Sequence, residues 1–189
     1  MINADDFVLA GFVVPRPWIP PYDDALLPES VMTVSECLTD LLPVEQDEGA
    51  APWHSDLQSA RATAREHDVR VIAVHLQSAD RLRVLESWKD WAPGLVDPMS
   101  TSLGMSARHV GQQLGLEVVG LEDDWLHSWL CYGLHTQAKA ELDIAPGPFG
   151  LLDDLEHARA VAAMANDARG TSDGTPLDVT WFPALLAEC

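Results

Sequence analysis

The residues best suited to chemistry are His127, Cys131 and His135, which follow one another at intervals of four. On a helix, side chains four positions apart share a face and can chelate one metal ion. All three could not bind the same ion, because a rise of about 1.5 Å per residue separates His127 from His135 by ~12 Å. A metal site would therefore use one neighbouring pair, with further ligands from Asp123, Asp124 or a distant histidine.

The same residues could instead form the thiol–imidazole pair of a small enzyme. A thiolate nucleophile needs a base or a helix N-terminus that lowers its pKa. Cys131 would lie about two turns into a helix beginning at Trp125, too deep to benefit from the N-terminal amides. The acidic residues 122–124 would raise the thiol pKa, and Gly133 weakens the helix on which the spacing depends. Cys131 is then expected to be a small core residue, with no metal and no cofactor bound.

An acidic and aromatic segment precedes these residues. It contains Glu122, Asp123, Asp124, Trp125 and Trp129. Large aromatic side chains flanked by charge are typical of protein-binding hot spots, where the charge steers a partner of opposite sign. The alternative is a solvated turn followed by tryptophans of the core. The segment is therefore the predicted binding site if the protein docks onto a partner.

The charge balance narrows the choice of partner. The chain of 189 residues has 30 acidic and 11 basic residues, for a formal net charge of −19. Nucleic-acid binding needs clustered Lys and Arg, and anionic membrane surfaces attract basic segments, so neither partner is expected. The charge favours an acidic soluble binding protein, such as an inhibitor or immunity-type protein that neutralises a basic protein. The alternative is a small enzyme with a Cys/His or metal-assisted site around His127, Cys131 and His135.

The cysteine content and the N-terminal sequence indicate the compartment. Cys37, Cys131 and Cys189 are few and widely spaced, which is typical of a reducing environment without a disulfide framework. The N-terminal residues have neither the basic nor the apolar region of a signal peptide, and no apolar run reaches the length that spans a bilayer. We therefore expect a cytoplasmic protein. No nucleophile elbow, dinucleotide-binding, phosphate-loop, HExxH or EF-hand pattern is present.

Four apolar runs predict the strands that must position these side chains. They are Phe7–Val14, Val69–Leu76, Leu116–Leu121 and Val179–Ala187. Gly11 is expected to mark a bulge in the first, and Pro183 to make the last an edge strand or to break it. Residues 30–34 could form a further strand. An overlapping capping-box pattern, Thr33 to Glu36, instead predicts a short helix to about Leu41.

Helical periodicity and capping residues predict five longer helices. They are Asp56–His67, a segment capped by Ser78 and ending near Trp91, Ala107–Leu114, Thr136–Leu142 and Asp154–Ala168. Residues 92–102 contain Pro93, Gly94 and Pro98 and are expected to form a loop. Residues 125–130 could begin a helix or end a strand.

Strands followed by helices indicate an α+β fold, in which a mixed sheet of about five strands carries helices mainly on one face. The length favours a single domain over residues 1–189, with a small N-terminal subdomain at residues 1–45 as the alternative.

Overall fold

The computed structural model describes residues 2–20, 24–43, 52–88, 93–104, 110–122, 125–131, 133–167 and 179–189. The strands are β1 (Phe7–Val13), β2 (Ile72–Gln77), β3 (Gln112–Glu122), β4 (Trp125–Ser128) and β5 (Thr180–Glu188). The helices are α1 (Leu57–His67), α2 (Arg81–Trp88), α3 (Pro93–Gly104), α4 (Leu134–Leu142) and α5 (Leu155–Asp167). Two short 3₁₀ turns occupy Ala4–Asp6 and Pro148–Gly150. The predicted α+β class is confirmed.

The five strands form one sheet in the order β1-β2-β5-β3-β4. All four pairings among these described strands are antiparallel, so the prediction of a mixed sheet was wrong. The C-terminal strand β5 lies in the centre, between β2 and β3. A strand in this position is covered on both faces, which agrees with its nearly continuous apolar sequence.

Pro183 lies in this central strand, although the sequence suggested an edge strand or a break. On one side it pairs with Val118 of β3, whereas pairing with β2 ends at Ala184 opposite Leu76. Pro183 therefore has a pairing partner on one side only. Proline lacks the N–H group that would donate a hydrogen bond to a neighbouring strand, and no residue of β2 is paired with Pro183. This position therefore meets the condition that usually confines proline to edge strands.

The core occupies both faces of the sheet. In β5, Phe182 and Leu186 belong to one buried cluster, which also contains Met99 of α3. Trp181 and Leu185 belong to a second cluster, which contains apolar side chains of α5. Neighbouring residues of a strand face opposite sides of the sheet, so these two clusters lie on opposite faces, and each contains side chains from a helix. The predicted packing of helices mainly on one face is therefore not confirmed.

Helices α1, α4 and α5 and strands β1, β2, β3 and β5 confirm the corresponding predictions to within a few residues. Gly11 also lies at a bulge, where the register between β1 and β2 shifts between Leu9 and Gly11. The Nε1 atom of Trp53 would lie 2.0 Å from a Cβ atom at Gly11, and Trp53 Nε1 donates a hydrogen bond to Ala10 O at 3.1 Å. The indole therefore occupies the space that a side chain would need.

Of the two overlapping alternatives for residues 30–41, the short helix is not formed, because the Thr33 hydroxyl group donates to Glu117 and the Glu36 carboxylate accepts from Leu126 N of β4. Two other local predictions were wrong. Gln112–Leu114 belong to β3, so the helix expected at Ala107–Leu114 is not present at its described C-terminal part. Residues 93–104 are helical and not a loop. Proline is tolerated in the first turn of a helix, so Pro93 was compatible with a helix start.

Candidate metal and thiol site

A buried carboxylate lies at the base of the site. Glu117 in β3 is fully buried. Its Oε1 atom accepts a hydrogen bond from Thr33 Oγ1 at 2.5 Å, and its Oε2 atom accepts one from Val34 N at 3.0 Å. Burial raises the pKa of Glu117 to about 7, and the hydrogen bonds from Thr33, Ser128 and Val34 oppose that rise. The carboxyl group thus holds the N-terminal segment around Thr33 against the sheet.

The next residues of that segment cover the exposed edge of β4. Glu36 N donates to Leu126 O at 3.0 Å, and Leu126 N donates to Glu36 Oε2 at the same distance. Burial raises the pKa of Glu36, and the hydrogen bond from Leu126 opposes this rise. Glu36 therefore satisfies backbone groups that an edge strand would otherwise leave open. This contact fixes the turn that follows Glu36 beside β4.

That turn brings Cys37 to His127. Cys37 is exposed, whereas His127 in β4 is buried. The Cys37 Sγ and His127 Nδ1 atoms lie 3.1 Å apart. His127 is paired with Gly120 of β3, and strand alternation turns its side chain away from the face that Leu126 occupies. The imidazole is therefore held by the sheet, and the thiol is presented to it by a turn.

Cys131 enters from the turn after β4. Its Sγ atom lies 2.8 Å from Ser35 Oγ and accepts a hydrogen bond from Ser128 N at 3.2 Å. Burial raises the pKa of the Cys131 thiol to about 12, although its hydrogen bonds with Ser35 and Ser128 oppose the rise. A thiol of this pKa is protonated at neutral pH and is a poor nucleophile by itself.

The ligand atoms of Cys37, His127 and Cys131 all lie within 4.8 Å of one another. Two thiolates and an imidazole nitrogen are the donors that bind zinc and similar borderline metals. The sequence analysis considered a helical face as one way in which His127 and Cys131 could come together. They do converge, but His127 lies in β4 and Cys131 in the turn before α4, so helical spacing is not the cause.

His135 lies apart from this cluster. It is buried in α4, and its Nε2 atom lies 3.0 Å from Asp24 Oδ2. The hydrogen bond with His135 lowers the pKa of Asp24, and a hydrogen bond from Leu26 N lowers it further. His135 also packs edge-on against Trp129, with ring centroids 6.5 Å apart. It links α4 to the N-terminal segment and is not a member of the thiol group.

The residues predicted to form the docking site do not all lie at the surface. Trp129 is fully buried among core residues, so its indole cannot contact a partner in this conformation. The backbones of Glu122 and Trp125 pair at the end of the β3–β4 hairpin. Asp123 and Asp124 lie outside the described residues. The docking role of Glu122, Asp123, Asp124 and Trp125 thus stays a prediction, and Trp129 is instead a core residue.

Sequence reasoning missed Cys37 and Glu117. Cys37 is 90 positions from His127, and no spacing pattern connects them. Glu117 occurs in an apolar strand, where a single charged residue usually faces water. The one signal in the sequence was the position of this carboxylate between Leu116 and Val118, because a carboxylate buried with its apolar neighbours needs polar partners inside the protein.

The fold and this cluster define a five-stranded antiparallel α+β protein with a candidate Cys₂His site. A scan against protein-family models, a search of the curated proteins and a search of the solved structures each gave no match. None of the described helices combines the length and apolar character that a membrane-crossing helix needs. Function therefore has to be argued from the site itself.

Proposed function

We propose that the protein binds a borderline divalent metal ion, with Zn²⁺ as the best candidate, through Cys37 Sγ, Cys131 Sγ and a ring nitrogen of His127. The observation that supports this proposal is the convergence of these three atoms within 4.8 Å. His127 and Cys131 lie close together in the sequence, in strand β4 and in the turn that follows it, whereas Cys37 reaches them from a turn of the N-terminal segment, 90 positions before His127. The arrival of Cys37 is therefore a product of the tertiary structure and not of local spacing.

Metal binding would require only a small change in the distances between the three ligand atoms. In a tetrahedral zinc site, bond lengths of ~2.3 Å to sulfur and ~2.0 Å to nitrogen place the ligand atoms roughly 3.5 to 3.8 Å apart. The largest separation here, at most 4.8 Å, would shrink by about 1 Å on binding. Both cysteines lie in turns, so this movement does not require any sheet hydrogen bond to break.

The surroundings of Cys131 suit a metal-bound thiolate. The hydrogen bond from Ser128 N points to the sulfur, and a second contact comes from Ser35 Oγ. Donors of this kind stabilise the charge of a ligand and orient it. A metal ion would replace the proton that burial otherwise keeps on this sulfur, because metal ligation deprotonates a thiol outright.

Three protein ligands would leave a fourth coordination position. Structural zinc sites commonly use four protein ligands, whereas catalytic sites use three and bind water or substrate at the fourth. Cys37 lines an open groove of about 350 Å³, together with Arg16, Trp18 and Asp40. The groove gives a small molecule access to this side of the cluster. This arrangement favours the metal-assisted alternative for function, with Cys131 and His127 as ligands and Cys37 in place of His135.

Metal titration tests the proposal directly. Co²⁺ added to reduced protein should give one equivalent of binding, with a sulfur-to-cobalt charge-transfer band and the strong visible bands of tetrahedral coordination. Zn²⁺ should displace it. Cys37→Ser, Cys131→Ser and His127→Ala should each weaken binding by at least tenfold, a loss of about 1.4 kcal/mol. Cys189→Ser also removes one thiol and serves as the matched control; equal loss in this control would refute the assignment.

A second candidate function rests on the charge. A formal net charge of −19 favours association with a basic protein, as expected for an inhibitor or immunity-type protein. We propose the acidic segment Glu122, Asp123 and Asp124 as the contact region. Neutralising these three residues should weaken binding to a poly-lysine peptide more than neutralising three acids elsewhere, Asp5, Asp6 and Glu66. Equal effects of the two triple variants would indicate non-specific attraction only.

A further inference from the structure

We propose that Cys37 is a site of oxidation by peroxides, and that its oxidised form is converted into a disulfide with Cys131. The formation of this disulfide needs no bound metal. Its expected consequence, the release of metal on oxidation, rests on the proposed function, because the disulfide would remove two of the three ligand atoms. The proposal thus assigns the cluster a modification chemistry in addition to metal binding.

Access to solvent singles out Cys37 among the three cysteines. Its side chain is exposed and lines the open groove, so a small peroxide can reach its sulfur. The His127 Nδ1 atom lies 3.1 Å from Cys37 Sγ, so the buried imidazole holds the thiol beside the groove. Oxidation by a small peroxide requires a sulfur atom that the reagent can reach. His127 is therefore the positioning residue for this step.

Cys131 is the resolving thiol. It is only partly accessible, and its Sγ atom lies within 4.8 Å of Cys37 Sγ. A disulfide bond of about 2 Å requires the two sulfur atoms to approach by a few ångströms. The turn at Cys37 and the turn at Cys131 can supply this movement, since neither residue belongs to a helix or strand. Cys189, which lines a different groove with Arg61 and Arg65, takes no part.

The reaction balances with one peroxide molecule. The Cys37 sulfur attacks one oxygen of H₂O₂, and the O–O bond breaks. The product is a Cys37 sulfenic acid and, after protonation, one water molecule. The Cys131 sulfur then attacks the Cys37 sulfur as the S–OH bond breaks, and the Cys131 thiol proton joins the departing hydroxide, which leaves as a second water molecule. Two thiols are oxidised by two electrons in total, and the peroxide is reduced to two molecules of water.

The experiment uses metal-free, reduced full-length protein and one to two equivalents of H₂O₂. After alkylation of the remaining thiols, peptide mass spectrometry should find a Cys37–Cys131 disulfide and an alkylated Cys189. In Cys131→Ser, a sulfenic-acid trapping reagent should label Cys37. His127→Gln should slow Cys37 oxidation by about tenfold, whereas Cys189→Ser should leave its rate unchanged. If Cys37 stays reduced, or a mixed pattern of disulfides forms, the proposal is overturned.

Metal titration of the same preparations separates the two proposals. A protein that forms the disulfide but binds no Co²⁺ when reduced would support the oxidation site and refute the metal site. A protein that binds Co²⁺ but gives no Cys37–Cys131 disulfide would support the metal site and refute the oxidation site. Cys189→Ser shows in both assays whether the protein tolerates the loss of one thiol.

Discussion

Replacing Glu117 by glutamine should remove a large pH dependence of stability. Glu117 is fully buried, and burial raises its pKa from 4.5 to about 7. Between these two pH values the folded protein keeps a proton that the unfolded chain loses. Stability therefore falls as the pH rises from about 4.5 to about 7 and is constant above that range, as far as this group is concerned. A change of 2.5 pKa units corresponds to about 3 kcal/mol.

Glutamine has nearly the shape of the protonated glutamic acid, so the variant should resemble the original protein at pH 5. At pH 8 the original protein carries the cost of a buried charge and the variant does not. The unfolding free energy of the original protein should therefore fall by roughly 2 to 3 kcal/mol more than that of Glu117→Gln between pH 5 and pH 8, because part of the full difference is already lost below pH 5. Contributions from Glu36 and other groups are common to both proteins and cancel.

Urea unfolding of reduced, metal-free protein, followed by tryptophan fluorescence, measures this difference. Trp129 and Trp181 are buried and should report the loss of the core. Glu66→Gln changes an exposed residue of α1 in the same way and should show the pH dependence of the original protein. If Glu117→Gln has the same pH dependence as Glu66→Gln, the carboxyl group is not held in its protonated form, and the reasoning about its burial is refuted.

Two further substitutions test how the sheet is built. Gly11→Ala should destabilise the protein by about 2 to 4 kcal/mol, because the new Cβ atom meets Trp53 and the φ angle of 150° disfavours a side chain. Gly104→Ala is the control in the same urea assay, since a Cβ atom at Gly104 would have no atom from elsewhere in the fold within 4 Å. Asn166→Ala should cost about 2 kcal/mol, because the Asn166 side chain donates to Trp181 O at 3.0 Å and accepts from Trp181 N at 2.9 Å. A loss below about 0.5 kcal/mol would show that water replaces the amide fully.

Much of the fold could be predicted from local sequence patterns. Strands β1, β2 and β5 are apolar runs, and α5 begins after Asp154, whose carboxylate accepts hydrogen bonds from the first amides of the helix, so each is predictable in isolation. Strand direction could not be predicted, because it depends on which strands become neighbours. The position of β5 shows this well. Pro183 indicated an edge, and only the end of the β2 pairing at Ala184 explains how a central strand accommodates it.

The candidate site was predictable only in part, for a physical reason. His127 and Cys131 were recognised because they are close in the sequence, but the helix invoked to join them is a strand followed by a turn. Their third partner, Cys37, arrives through contacts made by its neighbours. Glu117 binds the segment at Thr33, and Glu36 binds the edge of β4 at Leu126. No periodicity in the sequence encodes either contact.

These two contacts also change how the net charge should be interpreted. The excess of acidic residues suggested a docking surface, yet Glu117 is fully buried and Glu36 is partly buried, with its carboxylate bound to a backbone amide. Both carboxyl groups support the thiol cluster and are not available to steer a partner. A charge total therefore overstates the surface available for docking. Evidence for a basic partner must come from a localised set of acids, and the comparison of the two triple variants is designed to provide it.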